Sequence, residues 1–254
     1  MAELTKNKIK WIQSLSKKKE RDEQGLFCAE GTKLVNDLLP YFDCAALVAT
    51  PDYFESKKNP KADEIFEVSK DTLKKVSAQC TPQSVFAVFR QKKNELKYDE
   101  LKGQLSLMLD TVQDPGNLGT IIREADWFGI ENVICSKETV DVYNPKVVQA
   151  TMGALTRVNV YYVDLVDVLK KMSDIPVYGT FLEGTNIYEE KLTANGIIVM
   201  GNEGNGISAE VAKYVTAKLH IPNYPKGRAT SESLNVGSAT AIVCSEFRRR
   251  MPVK

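Results

Sequence analysis

Short apolar runs alternate with helical patterns along the chain from Leu105 onward. Six runs of four to six residues have the length and apolar content of strands: 105–110, 132–136, 158–163, 176–181, 197–201 and 219–222. Segments of helical periodicity follow or separate most of them, at 118–128, 145–155, 164–172, 209–217 and 235–251. Strands that alternate with helices predict a mostly parallel sheet with helices on both faces. The fold class of this part is therefore α/β.

A smaller α/β unit precedes this sheet. The apolar spacing predicts helices at 4–18, 30–42 and 71–80, and strands at 45–50, 65–69 and 85–90. The charged segment 17–27 is predicted as a loop. A polar stretch then separates the two parts, so we expect a domain at 1–91, a linker at 92–104 and a second domain at 105–254.

Composition excludes several classes of protein. No apolar run approaches the roughly 18 residues of a spanning helix, and the first residues contain no apolar leader, so we expect a cytoplasmic protein that binds no membrane. The five cysteines are scattered without a CxxC pair, which is typical of reduced thiols. With His220 as the one histidine, a multi-histidine metal site and a Ser-His-Asp triad are excluded or nearly so. We expect no metal.

The net charge of +1 conceals a basic start and a basic end around an acidic middle. Residues 1–21 carry seven basic and two acidic side chains. Clustered basic side chains are typical of a nucleic-acid footprint, although a solvated helix face would give the same pattern.

Three polar, glycine-bearing loops follow predicted strands, at 110–117, 201–207 and 222–234. The carboxyl ends of parallel strands lie at one edge of a sheet, where ligands of such folds bind. We therefore expect these loops to converge on one site.

The first loop combines a turn with a helix start. Asp114, Pro115 and Gly116 are turn residues, and Asn117 is suited to cap the following helix, which carries Arg123 in its second turn. A capped helix with a surface arginine accounts for this pattern without any function. Alternatively, Asn117 and Arg123 face a polyanion, because an arginine can bind two phosphate oxygens at once.

The other two loops are rich in glycine, proline and small residues. GNEGNGIS at 201–208 does not match a dinucleotide or P-loop spacing, and a glycine loop by itself is often a plain turn. A carboxylate within it, Glu203, has little packing purpose. In the last segment either Ser233 or Asn235 could cap the final helix.

In their order and spacing, NLGTIIR (117–123), GNEGNGIS (201–208) and the IPN…SLNVG segment (221–237) resemble the three signature motifs of the SpoU (TrmH-like) branch of the SPOUT RNA methyltransferases. The resemblance covers roughly residues 105–250. FCAEGTKLVNDLL (27–39) and TPQSVFAVF (81–89) resemble, more loosely, the RNA-binding domain often found ahead of this catalytic domain.

This resemblance implies a C-terminal trefoil knot, a homodimer and methyl transfer from S-adenosylmethionine to a ribose 2′-hydroxyl of RNA. It also implies that Arg123 of one chain meets the cofactor bound to the other. The implied catalytic residues are Asn117, Arg123, Glu203, Ser233 and Asn235. The implied cofactor-binding residues are Thr180, Gly201, Asn202, Gly204, Ile221 and Leu234.

RNA contact is expected from basic residues near both ends of the chain, namely Lys6, Lys8, Lys10, Lys17, Lys18, Lys19, Arg21, Lys226, Arg228 and the arginines at 248–250. Ribosomal RNA is favoured over transfer RNA because the extra N-terminal domain is commoner among ribosomal enzymes of this family. Three alternatives stay open: a base methyltransferase of another SPOUT branch, a non-catalytic RNA-binding ribosome-assembly factor, and a dinucleotide-dependent oxidoreductase. The missing GxGxxG argues against the last.

Overall fold

The computed structural model describes residues 3–77, 79, 81–225 and 231–250, and it divides into two compact units. One unit comprises 1–93 together with 141–156, and the other comprises 94–140 together with 157–254. The described helices are α1 (Lys6–Ser14), α2 (Lys18–Gln24), α3 (Thr32–Leu38), α4 (Pro51–Ser56), α5 (Lys70–Leu73), α6 (Tyr98–Leu101), α7 (Pro115–Trp127), α8 (Pro145–Thr151), α9 (Leu165–Lys171), α10 (Ala209–Ala212) and α11 (Val236–Arg249).

The described strands are β1 (Leu26–Glu30), β2 (Cys44–Ala49), β3 (Glu64–Glu67), β4 (Val85–Arg90), β5 (Leu105–Leu109), β6 (Asn132–Cys135), β7 (Asn159–Tyr162), β8 (Val177–Asn186), β9 (Gly196–Met200) and β10 (Ala217–His220).

The second unit is built on a six-stranded sheet in the order β10-β8-β9-β5-β6-β7, with every pair parallel. This confirms the predicted α/β fold class and all six predicted strands. Strands β5, β6 and β9 are buried along their whole length, as expected for a sheet covered on both faces. Met108, Ile134, Ile197 and Val199 belong to one apolar cluster of this unit.

The first unit contains a four-stranded mixed sheet in the order β1-β4-β2-β3. Strand β4 pairs antiparallel with β1 and β2, whereas β2 and β3 are parallel. The short helix α8 packs against β1 in this unit, and a 3₁₀ turn at Ala154–Thr156 packs against α3. The segment that contains α8 follows β6 in the chain, and the sequence pattern assigned it to the second domain.

Several parts of the first unit differ from the sequence prediction, among them the predicted helix 71–80, of which the structure forms α5 (Lys70–Leu73). The predicted loop 17–27 contains α2 and the start of β1, and a further helix, α4, begins at Pro51. Helix α2 ends at Gly25, which adopts the left-handed conformation (φ 63°) that favours glycine. Lys18 forms an ion pair with Asp22, and Lys19 forms one with Glu23, each partner lying one helical turn further along. Ion pairs at this spacing stabilise a helix.

None of the described helices combines the length and the apolar character that crossing a bilayer requires.

Candidate active site

Three loops of the second unit leave the carboxyl edge of its parallel sheet. Segment 110–114 follows β5 and leads into α7, segment 201–207 follows β9, and segment 221–225 follows β10. Residues 231–235 then lead into α11. Because all six strands are parallel, these segments start from the same edge, as the sequence predicted.

The start of α7 is capped by Asp114. Its Oδ1 accepts a hydrogen bond from the backbone N–H of Asn117 at 2.8 Å, and Pro115 occupies the first helical position, where no N–H is needed. The prediction that Asn117 caps this helix is therefore wrong. Asn117 lies in the first turn, and its side chain is left to bind groups outside the helix.

A chain of hydrogen bonds connects three of the predicted catalytic residues. The side-chain amide of Asn235 donates to Oδ1 of Asn117 at 2.9 Å. The amide of Asn117 in turn donates to Oε1 of Glu203, also at 2.9 Å. The starts of α7 and α11 and the loop after β9 are thus joined through side chains. The Asn117 amide donates to the carboxylate and is itself oriented by Asn235, so the two hydrogen bonds together hold Glu203 in place.

Asn235 also caps α11, because its Oδ1 accepts from the backbone N–H of Ser238 at 3.2 Å. Of the two predicted candidates, Asn235 is therefore the cap. Ser233 is exposed, and no described residue bonds to its side chain.

The glycine loop after β9 is closed on itself. Backbone groups of Asn202 and Gly206 exchange two hydrogen bonds of 2.9 Å, and Oδ1 of Asn202 accepts from the N–H groups of Gly204 and Asn205. The Asn202 amide donates to the carbonyl of Thr111 at 2.8 Å. The Asn202 side chain thereby shapes the loop and joins it to the segment after β5.

Gly201 is required by this closure. A Cβ atom at Gly201 would lie 2.2 Å from the carbonyl carbon of Gly206 and 2.4 Å from the nitrogen of Ile207, which no side chain can adopt without a backbone shift. At Gly204 the nearest atom to such a Cβ would be Oδ1 of Asn202, at 3.6 Å. Only the first of these two glycines is therefore demanded by close backbone approach.

Sequence patterns did not identify Asp110 as part of this arrangement. Asp110 is buried at the end of β5, and its Oδ2 accepts from the backbone N–H of Ser208 at 2.8 Å. Its role is to hold the far end of the glycine loop. An aspartate directly after a buried strand is the signal that could have pointed to it.

Arg123 is exposed on α7 and has no hydrogen-bond or ion-pair partner among the described residues. It shares an exposed stripe of this helix with Thr120 and Trp127, whose side chain is 85% exposed. The hydrogen-bonded group around Asn117 does not include it. Its guanidinium is thus available to bind an external anion.

Glu124, the next residue, has an environment that the sequence did not reveal. Its Oε2 is buried without a hydrogen-bond partner within the described part of the chain. Burial raises the pKa of the Glu124 carboxyl to about 7. This carboxyl therefore titrates near neutral pH, in the second half of α7.

The loops present groups that suit S-adenosylmethionine. Backbone N–H groups of Ile221, Asn223 and Tyr224, and those of 231–235, donate to no other described residue. Backbone donors of this kind can pair with the edge of an adenine ring. Leu234 is 50% exposed and provides apolar surface, while the Thr180 hydroxyl, at the end of the β8–β9 pairing, donates to the carbonyl of Val199 at 3.2 Å. The residues present therefore fit the cofactor.

The described residues include no group of three or more side chains able to hold a metal ion.

The structure corrects the predicted RNA contact at Arg21. This side chain is 1% exposed, and its Nη2 forms an ion pair of 2.6 Å with Oδ2 of Asp141. Its Nη1 donates to the carbonyls of Leu15 and Ser16. The prediction for Arg21 is wrong because the guanidinium is used inside the first unit.

The other predicted basic contacts differ in their surroundings. Lys8 forms an ion pair with Glu64 and lies over the ring of Trp11, whereas five lysines are exposed: Lys6, Lys10, Lys17, Lys18 and Lys19. Lys226 and Arg228 lie outside the described residues.

The predicted RNA contacts at the end of α11 all pair with groups of their own unit, and the Arg249 side chain stays 65% exposed. Arg248 donates to the carbonyls of Phe128 and Gly129, at the end of α7. Arg249 and Arg250 both pair with the buried carboxylate of Glu246, and these hydrogen bonds hold the pKa of that carboxyl below its usual range. Arg250 donates in addition to the carbonyls of Ile187 and Tyr188.

Comparison with known proteins gives consistent matches. A model of the SpoU rRNA Methylase family matches residues 104–245, and a model of the MRM3-like substrate binding domain matches residues 6–87. The chain is 32% identical over 246 residues to the 23S rRNA (guanosine(2553)-2′-O)-methyltransferase RlmP of Bacillus subtilis, covering 95% of this chain and 96% of that protein.

Two solved structures are similar over the whole length. A TrmH-family protein from Porphyromonas gingivalis superposes with a TM-score of 0.89 at 44% identity, covering 98% of this chain and 100% of that chain. The S-adenosylmethionine-bound rRNA methyltransferase of Sinorhizobium meliloti superposes with a TM-score of 0.85 at 30% identity, covering 100% and 98% respectively.

Proposed function

The chain belongs to the SpoU rRNA methylase family of RNA methyltransferases that use S-adenosylmethionine, and from that premise we propose that it methylates the 2′-hydroxyl of a ribose in ribosomal RNA. The observation that carries this proposal is the hydrogen-bonded chain Asn235–Asn117–Glu203. It places a held carboxylate beside the loops that leave the sheet edge. The 23S rRNA named in the RlmP match supports ribosomal RNA over transfer RNA.

The cofactor is held by the loops after β8, β9 and β10. When bound, S-adenosylmethionine supplies a methyl group already activated by its sulfonium. The tight turn that begins at Gly201 and Asn202 leaves the backbone of Gly204 exposed to a ligand. Ile221 and Leu234 supply apolar contact, and Thr180 lies at the end of the neighbouring strand. Their work is to hold the methyl group in line with the attacking oxygen, and such positioning is worth about 7–11 kcal/mol.

Arg123 and Glu203 have different roles in this proposal. Because arginine is essentially always protonated, Arg123 is better suited to bind the phosphate beside the target ribose and to polarise its hydroxyl than to accept a proton. With the cofactor bound, the Glu203 carboxylate would accept the proton of the ribose hydroxyl, directly or through a water, while the methyl–sulfur bond breaks and the sulfonium leaves as a neutral thioether. Asn117, Asn235 and Ser233 position the nucleotide and the carboxylate.

Several features of the family's architecture belong to the same proposal. The first 91 residues bind RNA, residues 92–104 link them to the catalytic part, and the end of the chain forms a trefoil knot. The active form is a homodimer in which Arg123 of one chain serves the cofactor of the other. We propose that the enzyme works in the cytoplasm.

The test is transfer of radiolabelled methyl from S-adenosylmethionine to unmodified ribosomal and transfer RNA, followed by digestion to nucleosides. Label in a 2′-O-methyl nucleoside of ribosomal RNA is expected. Label in a base would indicate a base methyltransferase. If neither RNA is labelled although the chain binds the cofactor, the result would favour a non-catalytic RNA-binding factor.

The role of Arg123 is tested with the variant Arg123→Ala. We expect its turnover to fall at least about a hundredfold and its affinity for S-adenosylmethionine to stay nearly unchanged. Lys137→Ala removes an exposed cation of the same unit and is expected to leave both quantities unchanged. Turnover like that of the wild type in Arg123→Ala would refute the role of Arg123.

A further inference from the structure

The first unit contains a cavity of about 240 Å³ that methyl transfer does not use. It lies between the end of α1, the strand β1, the segment after α5 and the start of α8. Phe86 and Pro145 provide apolar walls, and Cys28 lines it from β1. Burial raises the pKa of the Cys28 thiol to about 12, so this wall carries no charge at neutral pH.

Hydrogen-bond donors and acceptors both line the same cavity. Glu30 and Ser77 line it as a hydrogen-bonded pair. Gln13, which also lines it, donates through its amide to the carbonyl of Lys75 and is thereby held in place. The side chain of Gln149, on α8, is half-buried and bonds to no described residue, although an amide carries two donors and an acceptor. The cavity therefore has an unused hydrogen-bonding edge between apolar walls.

Size and chemistry together suit a nucleobase. A water molecule occupies about 30 Å³, so the cavity has room for a flat group of about eight to ten non-hydrogen atoms. Unpaired bases are recognised in just this way, by a ring or an apolar face on their flat side and by amide, hydroxyl or carboxylate groups on their edge.

The surroundings of the cavity carry positive charge. Lys75 lines it, Lys17 follows the lining residue Ser16, and Lys146 follows the lining residue Pro145. All three lysines are exposed, and none has an ion-pair partner within the described residues. A polyanion whose base entered the cavity would meet these cations with its phosphates.

We propose that this cavity binds one unpaired base of the RNA substrate, apart from the nucleotide that is methylated. The proposal rests on the proposed function for the presence of RNA, and it adds a recognition subsite in the first unit. The subsite selects the RNA, while the loops of the second unit carry out the transfer.

The experiment measures binding of an unmodified ribosomal RNA transcript to the full chain by filter binding, without S-adenosylmethionine, over a series of salt concentrations. Gln149→Trp fills the cavity and Gln149→Leu removes only its amide. We expect the two variants to bind about tenfold or more weakly, with an unchanged slope of log K against log salt, because no phosphate contact is lost. Lys75→Ala should lower that slope by about one unit.

Asn7→Trp is the matched control, since Asn7 is an exposed amide on α1 that does not line the cavity. It should bind RNA as the wild type does. Thermal melting of each variant shows whether it is folded, and Gln149→Leu decides the question if the tryptophan variant unfolds.

The outcomes separate this proposal from the proposed function. RNA affinity like that of the wild type in the folded Gln149 variants, or equal weakening by Asn7→Trp, would overturn the subsite. A wild-type chain that binds RNA through Gln149 and transfers no methyl would overturn the proposed function and leave the subsite standing.

Discussion

Gly201 and Gly204 lie three residues apart in one loop, and the structure makes opposite demands on them. An alanine Cβ at Gly201 would overlap the backbone of Gly206 and Ile207, whereas at Gly204 its nearest neighbour is 3.6 Å away. We expect Gly201→Ala to lower the free energy of unfolding by about 1–3 kcal/mol, as overpacking does. The shifted loop should bind S-adenosylmethionine at least about tenfold more weakly, which titration calorimetry would measure.

Gly204→Ala is the control within the same loop. Its stability should stay within about 0.5 kcal/mol of the wild type. An equal loss of stability in the two variants would mean that the close backbone approach at Gly201 does not stabilise the loop.

Single residues also mark the limit of what the sequence could predict. The resemblance to the family motifs implied that Asn117, Glu203 and Asn235 share one site, and hydrogen bonds join them. It could not assign the cap of α7, because Asp114 and Asn117 both suit that role and only the backbone geometry separates them. The burial of Arg21 was beyond prediction, since its partner Asp141 lies 120 positions away in the sequence.

At the scale of elements, α7 and α11 are joined at both ends. Asn235 bonds to Asn117 near one end, and Arg248 donates to the carbonyls of Phe128 and Gly129 near the other. Both helices also contribute to the candidate site. A change in the packing between the two helices should therefore displace Asn117 and Arg123.

Glu124 makes this helix pair sensitive to pH. Burial raises the pKa of its carboxyl from 4.5 to about 7, so between these values the folded chain keeps a proton that the unfolded chain has lost. Stability then falls as pH rises through this window. We expect a loss of about 1–2 kcal/mol, allowing for the screening of a carboxyl that is only partly buried.

The Cys244 thiol of α11 lies near this carboxyl, and Arg248 lies near that thiol. Burial raises the pKa of the Cys244 thiol to about 12, so it stays neutral, and the Arg248 guanidinium is bound to backbone carbonyls. Urea unfolding of Glu124→Gln at about pH 5 and about pH 8 should show a smaller difference in stability than the wild type. Glu138→Gln, an exposed control, should keep the difference, and an equal loss in both variants would contradict the assignment.

Elements were predictable where apolar periodicity was strong. All six strands of the parallel sheet are apolar runs with turn residues at their ends, and the structure contains each of them. Helix α2 was missed because KKERDEQ has no apolar face to detect. The sequence does contain two pairs of opposite charges spaced four residues apart and a glycine at the end of the helix. Charged stretches of this kind are, however, equally typical of loops.

At the scale of the whole molecule, net charge was a poor guide to function at one end of the chain. The arginines that end α11 made this segment look like an RNA contact, yet they bind the carbonyls and the carboxylate of their own unit. In the first unit, the exposed lysines of α1 and α2 remain available for RNA. The salt dependence of RNA binding should therefore come from the exposed lysines of the first unit and not from the final helix.

The proposed homodimer makes a prediction about mixed subunits. If Arg123 of one chain serves the cofactor of the other, a dimer of Arg123→Ala with Gly201→Ala contains one intact site and one doubly damaged site. With the cofactor kept well below its dissociation constant, each variant alone is expected to keep about a tenth of the wild-type activity or less. Random mixing in equal amounts makes half of the dimers mixed, so about a quarter of the wild-type activity should return.

The measurement is methyl transfer after the two variants have been unfolded together and refolded, with separately refolded samples mixed afterwards as the control. Restored activity in the first sample alone would establish sites shared between subunits, because exchange of chains is what creates the mixed dimer. If co-refolding restores nothing while size-exclusion chromatography shows dimers, each site is completed within one chain. Arg123 would then have to reach the cofactor of its own subunit. Arg123 and Glu203 of one chain would have to act together on the same ribose.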